Sequence, residues 1–156
     1  LKQLNLKLEN MSFHMTKYGT FNDSLLAAHV YHDLYLLLDL INFVPISNIK
    51  IIKAECPIEP DRVDILEFSL TAGTVQVYGF YDRTQNIKQK ITTINDNIIW
   101  SDNSFTINGA QETLPAHDAL AIMLEEVLTE KTDFAYNNKL SLEATKPLSK
   151  IKAACS

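Results

Sequence analysis

Phe21 to Asn42, FNDSLLAAHVYHDLYLLLDLIN, is the longest helical pattern in the chain. Leu26, Val30, Leu34, Leu37 and Ile41 recur at steps of three and four, and Leu25, His29, His32, Leu36 and Leu40 form a second stripe beside them. Asp23, Tyr31, Tyr35 and Asp39 fall elsewhere on the barrel. An apolar band this wide needs a sheet or another helix to lie against. Asn22 or Asp23 suits the first turn, because a short polar side chain satisfies an orphan amide there. The helix is expected to stop at Asn42, with Pro45 just beyond it. Two histidines sit inside the band, where leucine would be the simpler choice.

The rest of the chain supplies that partner. KQLNLKLE, residues 2–9, puts Leu4, Leu6 and Leu8 on one face of a half-buried strand. Met11 to Thr20 reads as a loop with Gly19 near its end. Asn48 to Cys56 is a strand, followed by a turn at Pro57, Pro60 and Asp61. Val63 to Leu70 and Thr74 to Tyr81, joined at Ala72-Gly73, read as an antiparallel hairpin. Ile87 to Ile94, Asn97 to Ser101 and Phe105 to Asn108 are further strands, the last two around Asp102-Asn103. A helix opens at Pro115, Lys131 to Asn138 is a loop, and Leu140 to Ala154 is a last helix that Pro147 should kink or split. The order predicts one α+β domain over residues 1–156, a mostly antiparallel, mixed sheet of about six strands with helices covering one face. Val75, Val77 and Tyr81 alternate with Tyr78 and Phe80, so both faces of that strand are apolar. A homodimer or tetramer formed sheet to sheet is therefore expected.

Composition narrows the function. The net charge is -5, with no basic surplus to neutralise phosphates, so nucleic acid and anionic membrane are not expected partners. No apolar run reaches the roughly 20 residues that span a bilayer, and no signal peptide is visible. The first residue is Leu, which suggests a processed product or part of a longer protein. Cys56 and Cys155 stand far apart with no CxxC pair, as expected of thiols in a reducing cytoplasm.

The glycines, at 19, 73, 79 and 109, form neither GxGxxG nor a phosphate loop. The chain by itself is expected to bind no NAD(H) or NADP(H), which titration calorimetry would check. The dense polar cluster is His29, His32 and Asp33, within one turn of helix. Three readings stand: histidines hydrogen-bonded inside the protein, a general acid/base site, or a metal site, the last without a third clustered ligand. His32 is expected to point toward the sheet, near a pocket at the Met11–Thr20 loop. Lys17, Tyr18 and Arg83 could hold a polar or anionic ligand, or be a solvated loop and a strand-end charge. His14 and His117 are isolated.

Several of these segments resemble the C-terminal domain of the Gfo/Idh/MocA family of NAD(P)-dependent oxidoreductases. Leu25-Leu26 and His32-Asp33-Leu34 look like its helix motif, DILEFSLTAGTVQVYG (64–79) like its hairpin, and ITTINDNIIWSD (91–102) like its next strand pair. Ala116 to Ala154 is similar to its closing helices. The resemblance implies a substrate-binding and dimerisation domain whose N-terminal Rossmann partner holds NAD or NADP, with no cofactor site here. It implies a sugar or sugar-nucleotide substrate, His32 as the acid/base at the sugar hydroxyl, and His29, Asp33, Lys17 and Tyr18 as substrate-binding residues. Ala28 and Tyr35 stand where the family often has acidic residues. A non-catalytic binding or dimerisation module of the same fold is the alternative.

Overall fold

The structure, a computed structural model, describes residues 11–19, 25–42, 44–56, 63–101, 104–113, 125, 128–129 and 132–154. The expected strand at residues 2–9, the caps Asn22 and Asp23, the turns at 57–61 and 102–103, and the helix opening at Pro115 with His117 all lie outside them.

Among the described residues eight strands form one mixed sheet, more than the six or so expected. They are β1 (Ser12–Tyr18), β2 (Ile46–Glu55), β3 (Ile65–Ala72), β4 (Val75–Asp82), β5 (Gln89–Ile94), β6 (Ile98–Ser101), β7 (Ser104–Ile107) and β8 (Ala110–Glu112), in the order β2-β3-β4-β1-β5-β6-β7-β8. Every neighbouring pair is antiparallel except β1 with β4. The expected hairpin of β3 and β4 is present, closing at Gly73, whose φ of 61° suits a tight turn. Asn108-Gly109, both at positive φ, closes β7 onto β8. Asn-Gly is a strong hairpin signal, so β8 was readable although it was not expected.

The segment expected as a loop, Met11 to Thr20, contains β1, which sits inside the sheet between β4 and β5. Phe13 and Met15 are buried while His14 is exposed, the alternation of a strand with one core face. Register carries that face across the sheet. Leu70, Val77, Phe13, Ile94 and Ile98 form one row, and Phe68, Gly79, Met15 and Thr92 the next.

The long helical pattern becomes a π-helical stretch, Leu25–Val30, running into α1 (Tyr31–Leu40). Asn42, at φ 52°, ends it where expected, in the left-handed conformation that asparagine tolerates. Leu34, Leu37, Leu38 and Ile41 are buried. The last helix, α2 (Phe134–Ala154), begins inside the expected loop because Asp133 caps it: the Tyr136 amide donates to Asp133 Oδ1 at 2.8 Å. It runs on through Pro147 instead of splitting there. Leu140, Ala144, Pro147 and Ile151 form one buried stripe, so packing against α1 and β2 offsets the hydrogen bond that proline removes. Tyrosines stitch the two helices together. Tyr31 Oη donates to Ser141 Oγ at 3.0 Å, Tyr35 Oη to Asn137 Oδ1 at 3.1 Å, and Tyr136 Oη to Asp39 Oδ1 at 3.2 Å. No helix among the described residues is long and apolar enough to cross a membrane.

Candidate functional site

The last full row of the helix-covered face changes character. Ala54, Leu66, Tyr81, Lys17 and Lys90 lie side by side on β2, β3, β4, β1 and β5. Two lysines on adjacent strands repel each other unless something answers their charge. The helix above provides the answer. His29 and Asp33 stand one turn apart on its inner side, His29 within the π-helical stretch and Asp33 in α1. Lys90 Nζ donates to Asp33 Oδ1 at 2.5 Å, and Tyr81 Oη donates to Asp33 Oδ2 at 3.0 Å. Lys17 Nζ lies 2.5 Å from His29 Nδ1. The other ring nitrogen, Nε2, is buried.

Asp33 is 7% exposed, a buried carboxylate made tolerable by a cation and a hydroxyl on its two oxygens. Tyr81 is fully buried, its ring stacked on Phe68 with centroids 6.2 Å apart and planes 8° from parallel. Burial, then the Asp33 charge and its hydrogen bond, push the Tyr81 phenol well above the ordinary tyrosine range, so it stays a donor. The arrangement holds a buried carboxylate between a lysine and a phenol, with a second lysine and an imidazole beside it. π-helical turns are rare and frequently mark functional sites, which agrees with the place of His29.

The expected residues divide. Lys17, His29 and Asp33 lie together at this row. Tyr18 does not join them: β1 is a strand, so Tyr18 points to the opposite face, where its ring meets Phe80 edge-on at 5.8 Å. His32 is exposed and packs edge-on against Tyr31 at 5.3 Å, so its ring points away from the sheet, contrary to expectation. The helix buries the stripe that runs through Asp33 and Leu38 in preference to the one through His32 and Leu36. Arg83 is tied to Asp64, Nε to Oδ1 at 3.6 Å, both largely buried. Lys90 and Tyr81 are site residues the sequence reading missed. Lys90 lies in a strand rich in Lys, Gln and Thr, and Tyr81 in an apolar alternation. Among the described residues no three metal-ligating side chains converge.

The opposite face of the sheet carries Glu67, Phe80, Thr16 and Ile91 in one row and Ser69, Tyr78, His14 and Thr93 in the next. Tyr78 Oη donates to Glu67 Oε1 at 2.6 Å, and that hydrogen bond, with burial, pushes the phenol up to about 12.

No family model matches the chain, and no curated protein matches it. Solved structures do share its fold. The chain is similar to UDP-N-acetylglucosamine 3-dehydrogenase GnnA from Acidithiobacillus ferrooxidans, at 14% identity and TM-score 0.77, over 99% of this chain and 57% of that one. It is similar to a biliverdin reductase from Synechocystis, solved with biliverdin and NADP+, at 10% identity and TM-score 0.63, over 96% of this chain and 57% of that one. A Gfo/Idh/MocA family oxidoreductase from Vibrio cholerae matches at 10% identity and TM-score 0.56, over 92% of this chain and 52% of that one. The chain thus spans a little over half the length of these three structures and shares its fold with that part of them, in keeping with the resemblance to Gfo/Idh/MocA oxidoreductases read from its residues.

Proposed function

We propose that this chain is the substrate-binding and dimerisation half of an NAD(P)-dependent oxidoreductase acting on a sugar or sugar-nucleotide hydroxyl. The observation that carries the reading is the Lys17–His29 pair, set beside Asp33, Tyr81 and Lys90 at the end of the helix-covered face. A half-buried imidazole in contact with an ammonium is suited to holding a hydroxyl oxygen and moving its proton. The likeness in fold to a UDP-sugar dehydrogenase supports the substrate class, and the likeness to a reductase solved with NADP+ supports the cofactor. His29 takes the acid/base role in this reading, because His32 is turned to solvent.

The residues of this chain do not fit a dinucleotide. The glycines at positive φ, Gly19, Gly73 and Gly109, stand singly, two of them in hairpin turns, and none opens a helix among the described residues. The nicotinamide therefore belongs to a separate dinucleotide-binding domain, and the part of this chain is to bind, orient and protonate the substrate. The cytoplasm is the compartment that suits such chemistry and thiols such as Cys56. The test is turnover by the complete protein that carries this chain. Incubation with UDP-N-acetylglucosamine and related UDP-sugars, with NAD+ and NADP+ in turn, is expected to give reduced nicotinamide. A folded protein silent across that panel would favour the non-catalytic binding module.

Association is the second part of the proposal. Tyr18, Tyr78, Phe80 and Ile91 are half-buried on the face away from α1, and a second copy of that face is the cover we propose. Sedimentation equilibrium is expected to give a dimer, and Phe80→Asp a folded monomer. A monomeric wild type at high concentration would end this part of the proposal.

A further inference from the structure

The row of the helix-covered face that holds Phe68, Gly79, Met15 and Thr92 runs on through Trp100 of β6 and Phe105 of β7. The other aromatic rings that the described strands turn to this face, Phe13, Phe68, Tyr81 and Phe105, are buried. Trp100 is 40% exposed. A single exposed apolar side chain is ordinary on a protein surface and needs no cause of its own. The surroundings of this one set it apart. Trp100 pairs directly with Thr92, so Lys90, two residues away on β5, is its diagonal neighbour on the same face, within reach of an aromatic side chain. Lys90 is the cation on Asp33, and its side chain is itself 35% exposed. The open indole thus lies next to the open end of the polar row.

Distance decides what fits there. From Lys17 to Trp100 the sheet runs two strand spacings across and two residues along, about 12 Å. A single sugar ring does not span that length. A substrate whose reacting hydroxyl meets Lys17 and His29 reaches Trp100 only with a second ring, joined by a linker that passes Lys90. In a sugar nucleotide the second ring is a base and the linker is a diphosphate, opposite in charge to Lys90.

We propose that Trp100 is the stacking platform for the base of a nucleoside diphosphate sugar. The indole takes the flat face of the base, since every base offers a π-face to an aromatic side chain. The sugar lies toward Lys17 and His29, with the diphosphate between. Trp100 sets affinity for the nucleotide end of the substrate and has no part in moving a proton. The placing of the sugar rests on the oxidoreductase reading; the stacking of a base on Trp100 does not.

Trp100 is the single tryptophan of this chain, so the emission that Trp100→Phe removes from the complete protein is that of this ring. UMP and UDP-N-acetylglucosamine are expected to quench that emission to saturation. Ribose 5-phosphate, which keeps the phosphate and lacks the base, and N-acetylglucosamine, the sugar alone, should leave it unchanged. By titration calorimetry Trp100→Ala should bind UMP about 10-fold more weakly or worse, with Trp100→Phe between it and the wild type. In turnover Trp100→Ala should raise KM for the UDP-sugar with kcat little changed. Quenching by N-acetylglucosamine and not by UMP overturns the proposal, as does UMP binding in Trp100→Ala as tight as in the wild type. Should neither variant fold, the wild type decides alone: UMP quenches its total emission, or the proposal falls. Quenching by UMP in a protein that turns over no UDP-sugar leaves the platform standing and removes the oxidoreductase reading. Turnover of UDP-sugars at an unchanged KM in Trp100→Ala does the reverse.

Discussion

Gly79→Ala is expected to destabilise the protein by about 1–3 kcal/mol, the usual cost of forcing one more carbon into a close-packed core. A methyl at Gly79 would lie 2.5 Å from Cε1 and Cζ of Phe68, whose ring covers this glycine on the neighbouring strand. The ring has nowhere to go. Phe68 is fully buried and stacked on Tyr81, and Tyr81 is held in turn by its hydrogen bond to Asp33. On an open strand the same change would stabilise, since glycine weakens a strand interior. Urea denaturation gives the measurement, and Phe68→Leu supplies the control. If the ring is the obstacle, Gly79→Ala in the Phe68→Leu background costs less than the two single changes added together. Wild-type stability in Gly79→Ala alone would mean that the core yields where the packing says it cannot. The displacement of Tyr81 should also reach Asp33, which couples this core position to the proposed site.

His29→Asn is expected to lower kcat by roughly 100-fold or more in the complete protein, the ordinary size of a general acid/base contribution. Asparagine keeps a short polar side chain against Lys17 but cannot pass a proton. His32→Asn, on the exposed side of the same helix, should turn over at the wild-type rate. The readout is formation of reduced nicotinamide with a UDP-sugar. The reverse pattern, with His32→Asn slow and His29→Asn normal, would return the acid/base role to His32 and remove the site built around Lys17.

Local chemistry explains which parts of this molecule were legible in its residues. The hairpin of β3 and β4 was, because alternation and a glycine turn act within a few residues. The end of α1 was, because Asn42 and Pro45 are backbone signals. β1 was not: its alternation carries His14 and Lys17, and its partners are β4 and β5, far along the chain. Periodicity placed His29, His32 and Asp33 on one helix but could not choose which edge of a wide apolar band would be buried. The π-helical stretch adds to this, since a turn of different width before Tyr31 breaks the simple count from Leu25. Lys90 became a site residue only through its register with Lys17, a relation between strands that no local pattern contains.

The central place of β1 also bears on how the molecule comes to be folded. Phe13 pairs with Val77 on one side and Ile94 on the other, so the slot it fills does not exist until both later strands have been made. Contacts at such sequence separation close slowly. Until β1 docks, β4 and β5 each present an unpaired edge, with Val75 and Val77 beside one of them, and such edges invite association with other chains. Lys17 arrives with β1, between Tyr81 and Lys90, so the polar row beneath the helix is assembled in the same step that seals the sheet. A chain trapped before that step would be sticky and would lack that polar row, and a chaperone that shields the open slot would raise the yield of folded protein.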